Sequence, residues 1–337
     1  MPDVDASPPT WPEPGTIVAM TATTTDRRGF DDGWTLERKL DGFRCLAWVD
    51  GEAGGDGVRL RSRAGQSYDV ELPELRASLR QQVLGRAILD GELVAMDGDR
   101  TSFQLLQQRI GGWRTALGPR TAAAAGERPE VRFVAFDLLW FDAHDLRPLD
   151  LASRLATLRQ VVAPGGLVDV SQPLDGEASE LLASACAAGW EGLVAKRLAS
   201  TYQAKRSRDW CKLKCTASQE VVIGGWTEPS GSRTGLGALL VGVHDERGLR
   251  YAGKVGSGFD HDALRALPRL LGELEQPTSP FVDPVRERGA HWTHPQLVAQ
   301  VTFGEWSDGG RLRHPRFDGL RADKDPASVV RESPPAG

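Results

Sequence analysis

Apolar and polar residues alternate with a period of two through several stretches of the chain. In VRLRSRAG (58–65), Val58, Leu60 and Ser62 alternate with Arg59, Arg61 and Arg63, the pattern of a half-buried strand running into a glycine. The same period predicts a strand over AILDGELVAM (87–96), with Asp90 and Glu92 on one face. VRFVAFDLLWF (131–141) reads as a buried strand. WTLE and FRCLAWV flank the turn-forming pair Asp41-Gly42, so residues 33–50 read as strand, turn, strand with Lys39 at a strand end. The period becomes helical in SFQLLQQRI, where Phe103, Leu106 and Ile110 fall together. It is helical again over 150–162, where Leu151, Leu155 and Leu158 form a stripe behind Asp150 as cap. SELLASACAAG predicts a further helix closed by Gly189. LVAK (193–196) and DWCKLKC (209–215) return to strand; in the second, Trp210, Lys212 and Lys214 share a face opposite Cys211, Leu213 and Cys215.

The texture changes near Glu220. EVVIGGW, ALLVGVH and LRYAGKV are short strands with Gly-rich turns, followed by helical DALRALPRLLGELE, then QLVAQVTFGEW and a hairpin into 311–324. Short strands broken by one helix predict a small β-barrel. The expected division is a loose leader over 1–20, a mixed domain over 21–217 and a barrel over 218–330, an α+β chain with a hinge near 215–220. TAAAAGE (121–127) reads as a loop between strands.

At 337 residues the chain has room for two cores. No apolar run approaches the ~18 residues of a membrane span, and the acidic, Pro-rich opening is neither a signal nor a transit peptide. A cytoplasmic location without membrane partners is expected. The four cysteines form no CxxC pair and no zinc spacing, so free thiols are expected. A net charge of −5 gives no global reason for nucleic-acid binding, but KRSRDWCKLK (205–214) and RLRHPRFDGLRADK (311–324) carry local basic density.

Lysine is a nucleophile only when neutral, and its ordinary pKa of about 10.4 must fall for that near neutral pH. Arg44, Lys212, Lys214 and a bound metal ion are the candidates to depress Lys39. Taken alone, Lys39 reads equally as a solvated lysine, Asp90 and Glu92 as a solvated strand edge or partners for an arginine, and Phe136 as core packing. Residues 205–214 alone read as a solvated basic face.

The joint order of the motifs separates these readings. K-x-D-G-x-R at Lys39, Asp41, Gly42 and Arg44 resembles the first motif of the covalent nucleotidyltransferases, the ATP-dependent polynucleotide ligases and mRNA capping enzymes. SRAG (62–65), DGE (90–92), FDLL (136–139), EGLVAK (191–196), WCKLK (210–214) and RHPRFDGLRADK (313–324) follow in that family's order. The resemblance implies a nucleotidyltransferase (ATP-grasp-like) adenylation domain followed by an OB-fold domain. It also implies a reaction. Lys39 attacks the α-phosphorus of ATP, AMP passes to the 5′-phosphate of a nick, and the adjacent 3′-hydroxyl displaces AMP.

Residue by residue, the resemblance has Glu37 read the adenine amino group, Phe136 stack on the base, and Arg44 and Arg63 hold phosphate. Glu92 and Glu191 would hold Mg²⁺ (or Mn²⁺), with Glu92 alternatively on the ribose. Lys196, Lys212 and Lys214 would surround the α-phosphate. In the barrel, Arg316, Arg321 and Lys324 would reach the outer phosphates, with Asp323 orienting one of them. GKVGSGF (253–259) and 303–324 most resemble bacterial ligases related to the ligase domain of end-joining ligase D, which implies nicked double-stranded DNA, a role in repair or end joining, and a Ku-like end-binding partner. The expected molecule is a monomeric two-domain ligase core without polymerase, phosphoesterase or N-terminal helical modules. A GTP-dependent capping guanylyltransferase shares the lysine chemistry; WCKLK, RFDGLRADK and the adenine reading of Glu37 stand against it. A catalytically silent DNA-binding module is the other alternative, opposed by intact Lys39, Glu92, Glu191, Lys212 and Lys214.

Overall fold

A computed structural model describes residues 10–51, 57–110, 129–229 and 235–332. The stretch 121–127, expected as a loop, lies outside them. The chain divides into two compact units, one running to Arg109 and again over Pro129–Cys215, the other beginning at Thr216.

Strands of the first unit are β1 (Thr21–Thr24), β2 (Trp34–Arg38), β3 (Phe43–Asp50), β4 (Val58–Ser62), β5 (Arg86–Asp97) and β6 (Arg100–Thr101). They continue as β7 (Val131–Phe141), β8 (His144–Asp145), β9 (Val168–Val170), β10 (Gly192–Arg197) and β11 (Arg206–Lys214). They form two sheets. The smaller has the order β1-β11-β10-β2; the larger runs β4-β3-β5-β7-β8, with β6 on β5 and β9 on β7.

Alternation decides how each sheet is covered. In the smaller sheet Leu36, Leu193, Ala195, Cys211 and Leu213 point one way and are packed by Ala178, Leu182 and Ala185 of the helix Ala178–Ala187. Glu37, Val194, Lys196, Trp210, Lys212 and Lys214 occupy the opposite face, since Val194 pairs with both Glu37 and Lys212. In the larger sheet Cys45, Ala47, Leu60, Leu89 and Phe133 are fully buried. The helix Pro73–Gln82 packs on β3 and β4, and the helix Leu151–Val161 packs on β7. Asp150 caps the latter by accepting from the Ser153 N–H. Leu46, Trp48 and Ile88 from the larger sheet meet Trp210 and Tyr202 in a shared core.

The strands flanking Asp41-Gly42 do not form a hairpin. β2 pairs with β10 and β3 with β4 and β5, so the chain crosses from one sheet to the other at Lys39–Gly42. Gly42 is required there by close approach rather than by a turn: a Cβ would lie 2.1 Å from the Leu93 carbonyl oxygen and 2.9 Å from Glu92 Cγ.

Two further expectations are corrected. Within the leader, residues 10–20 are packed and not loose: the Trp48 indole donates to the Pro12 carbonyl at 3.0 Å, Trp11 meets Trp140 edge-on, and Ile17 and Met20 are buried. The cysteines are not all free. Cys186 and Cys215 form a disulfide with Cα atoms 5.2 Å apart, tying the last turn of the helix Ala178–Ala187 to the residue after β11. Only the fold brings them together, because 29 positions separate them in the chain. Cys45 and Cys211 are free and buried, and burial pushes the Cys45 thiol well up. Closure of a loop of that length limits the unfolded chain, so Cys186→Ala should cost about 3 kcal/mol in oxidised protein. Urea melts with and without a dithiol check this, the variant matching the reduced parent.

The second unit contains β12 (Ala217–Thr227), β13 (Ala238–Asp245), β14 (Gly248–Val255), β15 (Glu275–Gln276), β16 (Ala290–Phe303) and β17 (Arg316–Leu320). Its sheet runs β14-β13-β12-β16-β15, with β17 on β16. The core gathers Val222, Leu240, Val241, Val255, Leu267, Leu271 and Val301, closed by the helix His261–Glu273, which Asp260 caps. β16 begins before the expected Gln296 and passes Pro295. The β12 register jumps from Ile223–Leu297 to Gly225–Trp292, so proline's missing N–H falls at the irregularity. Among the described residues no helix is long and apolar enough to cross a membrane.

Candidate active site

Lys39 stands at the crossing between the sheets, where its backbone N–H donates to the Gly192 carbonyl at 2.9 Å. Its amine contacts the Glu191 carboxylate, and both side chains are less than one-fifth exposed. Glu191 is in turn held by its own carbonyl, which accepts the Cys215 N–H at 3.0 Å. Burial pulls the Lys39 pKa down, but Glu191 first, then Asp41 and Glu92, outweigh it and hold the amine above its ordinary value. This reverses the expectation that crowded cations depress Lys39. The physical reason is that carboxylates lie closest, while two of the neighbouring cations are spent on acids of their own.

Arg44 is the first of these. Its guanidinium grips Asp90 through two nitrogens, and Nη2 also donates to the Met20 carbonyl at 3.2 Å. Asp90 is wholly buried and also accepts the Tyr202 hydroxyl at 2.6 Å, while that hydroxyl accepts the Met20 N–H at 3.0 Å. Burial and then the Asp90 charge push the Tyr202 phenol well up, so it stays a donor. Of the two readings open for the Asp90/Glu92 pair, arginine partner is the one Asp90 takes. Tyr202 and Met20 were not anticipated as site residues; no local motif marks either.

Lys196 is the second. Its amine donates to Glu37 Oε2 at 2.9 Å and to the Phe136 carbonyl at 3.0 Å, and the side chain is 3% exposed. Lys196, expected around an α-phosphate, here donates to a buried acid and to a backbone carbonyl. Glu37 Oε2 accepts a second hydrogen bond, from the Ser171 hydroxyl at 2.6 Å. Phe136 is half-buried, with Arg44 Cζ and Lys196 Nζ each 4.5 Å from its ring centroid and Trp210 edge-on at 6.0 Å.

Lys212 and Lys214 share the Glu37–Lys196 face by strand register. Arg63 is exposed in the turn after β4. Glu92 lies opposite Arg44 across β3 and β5. Among the described residues no three His, Cys, Asp or Glu side chains gather as a metal site. The Glu92 and Glu191 carboxylates around the Lys39 amine nevertheless fit Mg²⁺, which takes one or two carboxylates and completes its octahedron with water and phosphate oxygens.

The remaining sequence-chosen residues belong to the second unit. Arg321 is buried and makes a bidentate pair with the buried Asp323 at 2.8 Å. Lys324 pairs with Glu220 at 2.8 Å, and Arg316 is exposed. Arg321 was expected to reach a phosphate. Its guanidinium is held by Asp323, the residue expected to orient one of these cations, and by Gln300.

Two sheets with a lysine at their crossing and acids at its tip, in a chain whose second unit is a small β domain, define a nucleotidyltransferase of the ligase type. The chain belongs to the ATP-dependent DNA ligases: the family described as ATP dependent DNA ligase domain matches residues 19–214, and ATP dependent DNA ligase C terminal region matches 232–324. The first unit is the adenylation domain and the second the OB-fold domain. Among relatives, the multifunctional non-homologous end joining protein LigD of Pseudomonas aeruginosa is 41% identical over 315 residues, 90% of this chain and 35% of that protein. The LigD of Mycobacterium tuberculosis is 38% identical over 89% of this chain and 37% of its own length. The chain thus spans about a third of these relatives. A solved mycobacterial DNA ligase D complexed with ATP and MES superposes with a TM-score of 0.63 at 35% identity, over 95% of this chain and all of the other.

Proposed function

We propose that this chain seals 5′-phosphate/3′-hydroxyl nicks in double-stranded DNA, with ATP as the source of a lysyl-AMP at Lys39. The observation that carries the reading is the placement of the Lys39 amine, at the sheet crossing and in contact with Glu191. The ammonium must lose its proton before its nitrogen attacks, and a cation drawing Glu191 away from it would favour the neutral amine. Attack forms the N–P bond at the α-phosphorus and breaks the bond to pyrophosphate. The 5′-phosphate of the nick then takes AMP from Lys39, and the 3′-hydroxyl displaces AMP. Each step is a displacement at phosphorus, so positioning and charge neutralisation supply most of the rate.

Glu37 and Phe136 receive the adenine, Lys212 and Lys214 face the α-phosphate from β11, and Arg63 and Arg316 are the exposed cations suited to phosphate. Arg44, oriented by Asp90, offers its charge from a fixed position. Mg²⁺, held by Glu92 and Glu191 with phosphate oxygens and water, would neutralise the phosphates. The relatives named for non-homologous end joining support a role of this site there; a Ku-like end-binding partner and a cytoplasmic setting belong to the same proposal.

Incubation with labelled ATP or labelled GTP, followed by a nicked duplex, tests the reading. An ATP adduct that is discharged as the nick is sealed is expected. Labelling by GTP alone, or an adduct that no nick discharges, would overturn it.

A further inference from the structure

Ser171 is absent from every motif that announces this site, yet it touches the one carboxylate proposed to read the base. It follows β9 and is pinned from both sides. Its N–H donates to the Ala135 carbonyl at 2.7 Å, and three residues on the Leu174 N–H donates to the Leu36 carbonyl at 2.8 Å. The segment therefore bridges β7 of the larger sheet and β2 of the smaller, and Pro173 lies in a bridge with Glu37. From that anchor the Ser171 hydroxyl donates to Glu37 Oε2 at 2.6 Å. Lys196 donates to the same oxygen at 2.9 Å. Glu37 is 4% exposed, so the rotation of its carboxylate is decided by these two donors and hardly by water.

We infer that Ser171 is a positioning residue for purine selection: with Lys196 it fixes Oε2 as the shared oxygen, so that Oε1 is presented as a pure acceptor to the base. This rests on the reading of Glu37 as the adenine contact. An ionised carboxylate has no proton to give. An acceptor fixed in place favours a purine bearing a 6-amino donor and opposes one bearing a 6-oxo acceptor, because the mismatched base leaves two lone pairs facing across a buried gap. A carboxylate free to rotate would discriminate less, since either oxygen could tilt away.

The same geometry makes a sharper statement about Glu37→Gln. Both fixed donors demand the amide oxygen on the Ser171 side, which forces the amide NH₂ towards the base. The selective edge is then inverted from acceptor to donor. Lys39 adenylylation measured with ATP and Lys39 inosinylation measured with inosine triphosphate read this directly as a ratio of kcat/KM values.

Glu37→Gln is expected to lower the ATP/ITP ratio at least 10-fold with Ser171 present. Ser171→Ala is expected to raise the KM for ATP and lower the ratio about 10-fold, with the adduct still formed at saturating ATP, and Ser171→Thr to restore it by returning the hydroxyl. A Ser171→Ala protein that keeps the wild-type ratio sinks the inference. So does one whose rates with ATP and ITP fall together with its melting temperature, because that is a structural role only. The reading beneath it fails separately: if Glu37→Gln melts like the parent and leaves the ratio untouched, Glu37 does not read the base. If Glu37→Gln inverts the preference while Ser171→Ala changes nothing, the base contact stands and Ser171 has no part in it.

Discussion

Lys39→Ala is expected to form no adduct with labelled ATP and to seal ordinary nicks at least about 10³-fold more slowly than the parent, because no other group takes over a lost nucleophile. Nicks already carrying a 5′-adenylate should still be sealed in part, since that step needs the phosphate-facing cations and not the amine. Lys39→Ala also leaves Glu191 without its partner. Lys39→Arg removes this ambiguity: it returns a cation to Glu191, yet a guanidinium does not deprotonate and cannot act as the nucleophile. Both variants should fail with ATP, and Lys39→Arg should melt closer to the parent. Sealing of ordinary nicks by either variant with ATP would remove Lys39 from the chemistry.

The pairing pattern around Lys39 says what an incoming nucleotide must do. The amine is held by acids, with its pKa raised and not depressed. Arg44 is committed to Asp90 and Lys196 to Glu37. A triphosphate alone adds negative charge and would hold the ammonium further, so the cation recruited with it, which competes for Glu191, is what would favour the neutral amine. Activation is then a consequence of substrate binding, which prevents an uncharged, reactive amine from standing idle. The expectation drawn from sequence went wrong here because a list of neighbouring lysines and arginines does not show which acid each has already found.

Strand positions with one face buried were the most legible part of the fold. In β11 the alternation of Trp210, Lys212 and Lys214 against Cys211 and Leu213 predicts both faces correctly, because a period of two leaves no other packing. The helix Leu151–Val161 was legible for the same kind of reason, a leucine stripe behind an aspartate cap. The helix Pro73–Gln82 was not predicted. Its buried side is only Leu75 and Leu79, too thin a stripe to stand out from charged neighbours. The Asp41-Gly42 crossing was misread as a hairpin because local turn chemistry cannot tell whether the next strand pairs with the last one. Motif order singled out Lys39, Glu191 and Glu92, which the fold brings near one another. It could not locate Ser171, Tyr202 or the Cys186–Cys215 bridge, whose partners are 134, 112 and 29 positions away and are joined by topology alone.

Arg154 was passed over for the same reason, and it carries the largest expected effect on folding. It lies on the helix Leu151–Val161 among the leucines, fully buried, a place where a charge without a partner would not survive. Its Nε and Nη2 donate to the two Asp137 oxygens at 2.8 Å, and Nη1 donates to the Leu149 and Ser200 carbonyls at 2.7 and 3.0 Å. One guanidinium thus joins the helix to β7 and to the segment after β10. Arg154→Met should destabilise the protein by about 3–5 kcal/mol, the cost of leaving one member of a buried pair alone. Burial already pushes the Asp137 carboxyl up against the pull of Arg154, so in the variant it should take a proton instead of remaining charged. Adding Asp137→Leu to Arg154→Met removes the stranded acid, and the double variant should recover more than half of the loss in urea melts. Asp137 follows Phe136, whose carbonyl accepts the Lys196 amine, so the single variant should also weaken ATP use at temperatures where it remains folded. If Arg154→Met costs less than about 1 kcal/mol, the range of an ordinary surface change, the pair is not what holds the helix to β7, and the position of Phe136 must be set from the sheet side alone.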